Sequence, residues 1–144
     1  MLHSFISRSL ATLIAVGALA GCGRDARPGS AADRNATPPA SIEEVAPASV
    51  AALIAAHSDV VIVDVNPREI YDDGHIPSAR WASFRELSGL PRDKRTPLIF
   101  YCYNPVCGAS HQAATAAVAQ GFTDVRRMPA GIIGWRSAGL PVEH

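Results

Sequence analysis

The chain has no excess of charge of either sign. Thirteen Lys and Arg stand against thirteen Asp and Glu, and no stretch is strongly basic. That excludes nucleic acid as an expected partner, because phosphate recognition needs clustered positive charge. No internal repeat is visible, which excludes a solenoid or array. Long apolar runs are scarce too, and the one at the N-terminus is too short for a spanning helix with ordinary flanks. Cysteine is sparse, with only Cys22, Cys102 and Cys107. The scarcity limits metal chemistry. Cys107 and His111 can share a helical face and Cys102 is close by, but no fourth ligand is evident and a structural zinc site wants four. No metal is therefore expected.

What is present divides the chain into unlike parts. Residues 1–21 read as an export signal, with Arg8 in a short n-region, an apolar stretch over residues 10–20 and small residues at the end. Leu19-Ala20-Gly21-Cys22 resembles the lipobox of bacterial lipoproteins. That resemblance implies cleavage before Cys22, acylation of its thiol and amine, and stable membrane attachment through the lipid. It implies a bacterial cell-envelope protein that faces the periplasm. Gly23 in place of Asp implies sorting to the outer membrane in a Gram-negative cell. The alternative is an ordinary secretory signal with an incidental cysteine. Residues 22–41 are rich in Gly, Pro, Ala, Ser, Asp and Arg and lack apolar periodicity, so they read as a disordered tether. Residues 42–144 suffice for one compact domain. Export would carry Cys102 and Cys107 into an oxidising compartment, where they can pair.

Within that domain, strand and helix patterns alternate. Pro47 can open a helix over residues 47–56, with Val50, Leu53 and Ile54 on one face. The β-branched run at residues 60–65 suits a buried parallel strand. Pro67 can open a short helix through Tyr71, and Asp73-Gly74 marks a turn. Residues 79–82 suit a short strand. Ser83, with Glu86 three residues on, can cap a helix through Leu87. Residues 98–101 form the next strand, and residues 110–120 an alanine-rich helix closed by Gly121. A strand over residues 124–128 and a helix over residues 131–137 complete the domain, the latter stopped by Gly139 and Pro141. The alternation predicts an α/β fold with a mainly parallel sheet covered on both faces.

Ligands of such sheets bind beyond the carboxyl ends of the strands. Asp64 and Cys102 both end predicted strands on that rim. Cys102 also precedes a helix N-terminus, a setting that favours a thiolate. A buried strand-end cysteine is the alternative. Cys107 is open between resolving a persulfide, bridging to Cys102 and filling the loop. Asp64 can accept hydrogen bonds from the loop, hold Arg68, or cap the turn that follows. His111 lies near enough to tune a thiolate, or is a helix-surface residue. His75 reads as structural and Trp135 as core, while Arg126 and Arg127 read as solvated.

Several segments together resemble the rhodanese-like domain over nearly all of residues 42–144. Val61-Ile62-Val63-Asp64-Val65, then Glu69, Tyr71 and Gly74-His75-Ile76-Pro77-Ser78-Ala79, resemble the family's strand, helix and GHIPGA signature. Ile99-Phe100-Tyr101-Cys102 resembles its active-site strand and nucleophile. Ser110 with Ala113-Ala114 resembles the helix that follows. Gly121-Phe122, Val125, Gly131, Trp135 and Gly139-Leu140-Pro141-Val142 resemble its closing motif.

The resemblance implies a three-layer α/β sandwich with a five-stranded parallel sheet. It implies a sulfurtransferase in which Cys102 attacks the outer sulfur of a donor such as thiosulfate or a persulfide. Sulfite or a thiol leaves, and Cys102 passes the sulfur to a thiol acceptor. The loop of Tyr103, Asn104, Pro105, Val106, Cys107, Gly108 and Ala109, running into Ser110, would cradle the charged sulfur with backbone N–H groups. No metal or organic cofactor is implied, and a monomer is expected. Two features depart from the family pattern. Tyr103 stands where many members have a cation, in a longer loop, and Asn66 stands where many have Arg, a role open to Arg68. The spaced pair Cys102 and Cys107 resembles that of exported rhodanese-like proteins in which a redox role is conceivable. An envelope thiol–disulfide protein and a non-catalytic sulfur-binding module are thus the alternatives. A phosphatase of the Cys-x5-Arg type is set aside, because Gly108 occupies the arginine position.

Overall fold

Leu98, Ile99, Phe100 and Tyr101 are all buried, and they form the centre of the sheet. A strand covered on both faces needs apolar side chains at consecutive positions, and this run supplies them. The computed structural model describes residues 42–144. The expected signal, the lipidation of Cys22 and the tether lie outside the described residues.

In chain order the elements are β1 (Glu43–Glu44), α1 (Pro47–Ala55), β2 (Val61–Asp64), α2 (Arg68–Asp72), β3 (Arg80–Trp81), β4 (Leu98–Tyr101), α3 (Ala109–Ala119), β5 (Val125–Met128) and α4 (Gly131–Ser137). The five strands lie in the order β1-β5-β4-β2-β3, and every pairing is parallel. The α/β class and five-stranded parallel sheet expected from the sequence are therefore present.

Alternation along β2 and β4 divides the core in two. Val63, Leu98, Phe100 and Cys102 face α3 through Ala113, Ala114 and Ala117. Ile62, Ile99 and Tyr101 face the opposite way, toward Val50 of α1 and Ile132 and Trp135 of α4. The small alanines let α3 lie close to the sheet. Trp135 is 1% exposed, and its indole N–H donates to the Pro141 carbonyl at 2.7 Å. It is the core residue the sequence predicts. Burial of each large apolar side chain contributes about 1.5–3 kcal/mol.

Two local expectations need correction. Residues 83–87 form one turn and not a helix. The Ser83 carbonyl accepts the Leu87 N–H at 2.9 Å, but Leu87 itself takes a positive φ of 47°, which ends the turn at once. Arg126 and Arg127 are not freely solvated. Arg126 forks onto Asp124 at 2.9 and 2.7 Å, and Arg127 pairs with Glu44 at 2.7 Å. The second pair pins β1 to β5.

The signature around His75 is structural, as expected. His75 stacks on Tyr71 with ring centroids 3.8 Å apart, and its Nδ1 lies 3.0 Å from the Tyr71 carbonyl. Ile76-Pro77-Ser78-Ala79 closes a turn, with the Ala79 N–H donating to the Ile76 carbonyl at 2.9 Å. Ser78 has φ 65°, at a turn position that favours glycine. Ser78→Gly is expected to stabilise the domain by about 1 kcal/mol, read as a higher thermal midpoint. An unchanged or lower midpoint would show that Ser78 carries no strain.

Candidate active site

Cys102 directly follows β4 at the carboxyl rim of the sheet and is only 1% exposed. The loop after it is fixed at both ends. At its start, the Ile132 N–H of α4 donates to the Cys102 carbonyl at 2.9 Å. The Ile133 N–H donates to the Tyr103 carbonyl at 3.1 Å. Farther along, Asn104 organises a turn. Its carbonyl accepts the Cys107 N–H at 3.1 Å, and its side-chain oxygen accepts the Val106 N–H at 3.2 Å. Asn, then Pro105 at the next position, is favourable chemistry for that turn.

The turn folds the loop back and joins the two thiols in a Cys102–Cys107 disulfide, with Cα atoms 6.4 Å apart. That separation lies within the range that a bridge requires. Among the options the sequence leaves open for Cys107, this structure has the bridged one. The Cys102 sulfur also lies 3.2 Å from the Cys107 carbonyl oxygen and 3.5 Å from the Ser110 hydroxyl. Ser110 is buried in the first turn of α3, whose N-terminal end has no side-chain cap. A hydroxyl donor and the positive end of a helix both favour negative charge on sulfur.

The expected cradle of loop N–H groups differs in this bridged form. The Val106 and Cys107 N–H groups are directed to Asn104. Tyr103 is 40% exposed and Val106, at the loop tip, is 90% exposed. Gly108 and Ala109 lead into α3, and His111 lies on its exposed side. Among the described residues no group of three or more His, Cys, Asp or Glu side chains is placed to hold a metal ion.

Asp64 and Arg68 do not meet. Strand alternation points Asp64 to the face opposite Cys102, beside its register partner Tyr101. Arg68 instead pairs with Asp72 at 2.9 Å, one helical turn along α2, and lies over the rings of Tyr71 and Trp81. The Asp64 carboxylate accepts the Asn66 N–H at 2.7 Å, while its other oxygen has no partner. Burial holds its pKa above the usual carboxylate range, although the neighbouring Tyr101 hydroxyl and the Asn66 N–H pull it down. A raised folded-state pKa means the folded protein binds more protons, so stability falls as pH rises from about 4 through the folded-state value. Asp64→Asn keeps the acceptor for Asn66 and removes the charge. It is expected to exceed the wild type in thermal midpoint at pH 7, with the advantage shrinking toward pH 4. A constant difference across that range would rule out the ionisation as its cause.

A cavity of about 350 Å3 opens beside the disulfide, walled by Val65, Asn66, Trp81, Phe84, Cys107 and Ala109. Asn66 is 3% exposed, and neither atom of its amide has a hydrogen-bond partner. Neither Trp81 nor Phe84 stands out in the sequence as a site residue. Their one sequence signal is position, Trp81 at the end of a strand and Phe84 just after it on the carboxyl rim.

Residues 46–138 match the family described as Rhodanese-like domain. The chain belongs to the rhodanese-like family. Over 82 residues it is 35% identical to the thiosulfate sulfurtransferase GlpE of Pseudoalteromonas translucida, covering 56% of this chain and 76% of that protein. Over 90 residues it is 36% identical to the HTH-type transcriptional regulator Rv0324 of Mycobacterium tuberculosis, covering 60% of this chain but only 38% of the regulator. The chain thus spans well under half of that relative. The crystal structure of the BH2092 protein from Bacillus halodurans superposes with a TM-score of 0.63 at 28% identity, covering 70% of this chain and 76% of that one. In this rhodanese-like domain Cys102 and Cys107 are bridged to each other.

Proposed function

We propose that the protein is a sulfurtransferase that carries sulfane sulfur as a persulfide on Cys102. One observation carries the reading. The Cys102 sulfur ends the central strand against the Ser110 hydroxyl and the N-terminal turn of α3, where a thiolate is stabilised. Family membership and the similarity to GlpE support the same chemistry. In the reduced protein, the Cys102 thiolate attacks the outer sulfur of thiosulfate or a persulfide. The donor S–S bond breaks, and sulfite or a thiolate leaves with the electron pair. An acceptor thiolate then takes the outer sulfur and returns Cys102 as the thiolate. The substrates are a small sulfur donor and a thiol acceptor. Lipidation of Cys22 would hold the domain at the periplasmic side of the cell envelope, the outer membrane in a Gram-negative cell.

The disulfide favours a second reading, a thiol–disulfide redox protein that cycles Cys102 and Cys107. Intact mass separates the two. The reduced full chain, given thiosulfate, is expected to gain one sulfur atom, and Cys107→Ser is expected to gain it as well. Failure to gain sulfur from thiosulfate or a low-molecular-weight persulfide, with reversible loss of two hydrogens, would replace the sulfurtransferase reading with the redox one.

A further inference from the structure

The bridged form shows where a second sulfur sits on Cys102. The Cys107 sulfur is bonded to the Cys102 sulfur, as the outer sulfur of a persulfide would be. Cys102 itself is 1% exposed, so the packing leaves its sulfur little other room. Cys107 is partly exposed and forms part of the cavity wall with Trp81 and Phe84. The position next to Cys102 that the fold leaves open therefore borders this cavity. A donor that places its outer sulfur there has its body in the cavity.

The cavity is apolar. Val65, Pro67, Trp81, Phe84 and Ala109 supply its surface, and among the described residues no Lys, Arg, Asp, Glu or His forms part of the wall. Its polar members offer no charge. The Asn66 amide is buried, and the Ser83 hydroxyl accepts the Arg85 N–H at 3.4 Å. Two arginines stand over its aromatic residues from exposed positions. Arg68 lies over Trp81 with its charge paired to Asp72, and Arg85 lies over Phe84. Water and salt screen such exposed cations. A small anion must shed its water to enter the apolar space, whereas an apolar body gains from the same move. The volume of about 350 Å3 lies within the range of small-molecule sites.

We propose that this cavity binds the apolar body of an organic persulfide, and so selects such donors over those that lack an apolar body. The inference rests on the sulfurtransferase reading and names its donor class. In the reduced protein, the Cys102 thiolate attacks the outer sulfur of the donor. A bond forms between the Cys102 sulfur and that outer sulfur, and the donor S–S bond breaks. The electron pair leaves on the organic sulfur as a thiolate. The donor's proton stays on the transferred sulfur, and no separate oxidant or reductant is consumed.

The test uses the reduced full chain and two stable donors, benzenethiosulfonate and methanethiosulfonate. Both carry the same terminal sulfur and the same single charge, and they differ in the apolar body. Sulfinate release is followed over the first turnover. Each rate is divided by the rate of the same donor with 2-mercaptoethanol in free solution, which removes intrinsic reactivity. The corrected rate is expected to be about tenfold higher for benzenethiosulfonate, a difference of about 1.4 kcal/mol. Phe84→Ala is expected to lower that ratio at least about threefold, and Phe84→Leu, which keeps an apolar wall, to retain most of it. A wild-type ratio near one overturns the proposal and needs no variant. A ratio that Phe84→Ala leaves unchanged overturns the placing of the donor body in this cavity. Sulfinate release from neither donor would instead remove the sulfurtransferase reading itself.

Discussion

Cys102→Ser is expected to reduce sulfur transfer at least about a thousandfold, to the background of the uncatalysed reaction. The hydroxyl fits the space, but it neither ionises in this range nor forms a stable bond to sulfane sulfur. The substitution also removes the disulfide. For so short a loop that loss costs about 2 kcal/mol of stability on the chain-entropy account. Cys107→Ser removes the same bridge and serves as the matched control. Both variants should show a similar fall in denaturation midpoint under oxidising conditions. Only Cys102→Ser should lose sulfite release from thiosulfate in the presence of an acceptor thiol. Sulfite release by Cys102→Ser at a rate near that of Cys107→Ser would remove Cys102 as the sulfur carrier.

The legible parts of this domain were those in which one short segment contains its own cause. A buried parallel strand reads as a continuous apolar run, so β2 and β4 could be found, and Cys102 with them. Proline at the first position and glycine after the last fixed α1 and α3. β1 was not legible, because Glu43 and Glu44 have no strand propensity of their own. They form a strand because β5 offers a parallel edge and Arg127 a charge partner. Of the roles open to Asp64, the structure has the cap on the turn that follows, through the Asn66 N–H, and not the hold on Arg68. Asp64 and Arg68 are close in sequence, but alternation turns Asp64 under the sheet, while the helical period offers Arg68 a partner in Asp72. The bridge between Cys102 and Cys107 depends on the Asn104 turn that folds the loop back, which the spacing alone does not specify. Asn66, Trp81 and Phe84 meet only through tertiary structure, so no local pattern announces their cavity.

The second large effect is expected at Gly131, the first residue of α4. Its φ is +64°, and a Cβ there would stand 2.6 Å from the Asn104 nitrogen and closer still to the Tyr103 carbonyl. These are backbone atoms, so no side-chain rotation relieves the overlap. Either α4 or the loop must shift. A shift of either strains the two hydrogen bonds from Ile132 and Ile133 that hold the Cys102 and Tyr103 carbonyls. Gly131→Ala therefore combines a left-handed backbone cost of about 1–2 kcal/mol with an overpacking cost of about 1–3 kcal/mol. Gly139→Ala isolates the first part. Gly139 has a similar φ of +69°, but a Cβ there would meet nothing within 4 Å, so only the backbone cost applies. In urea unfolding, Gly131→Ala is expected to lose about 3 kcal/mol and Gly139→Ala about half as much or less. Below the unfolding transition, Gly131→Ala should also transfer sulfur more slowly than Gly139→Ala, because the displaced loop carries Cys102 with it. Equal destabilisation by the two substitutions would mean that the loop yields freely to a methyl group, and that α4 does not fix the position of the sulfur.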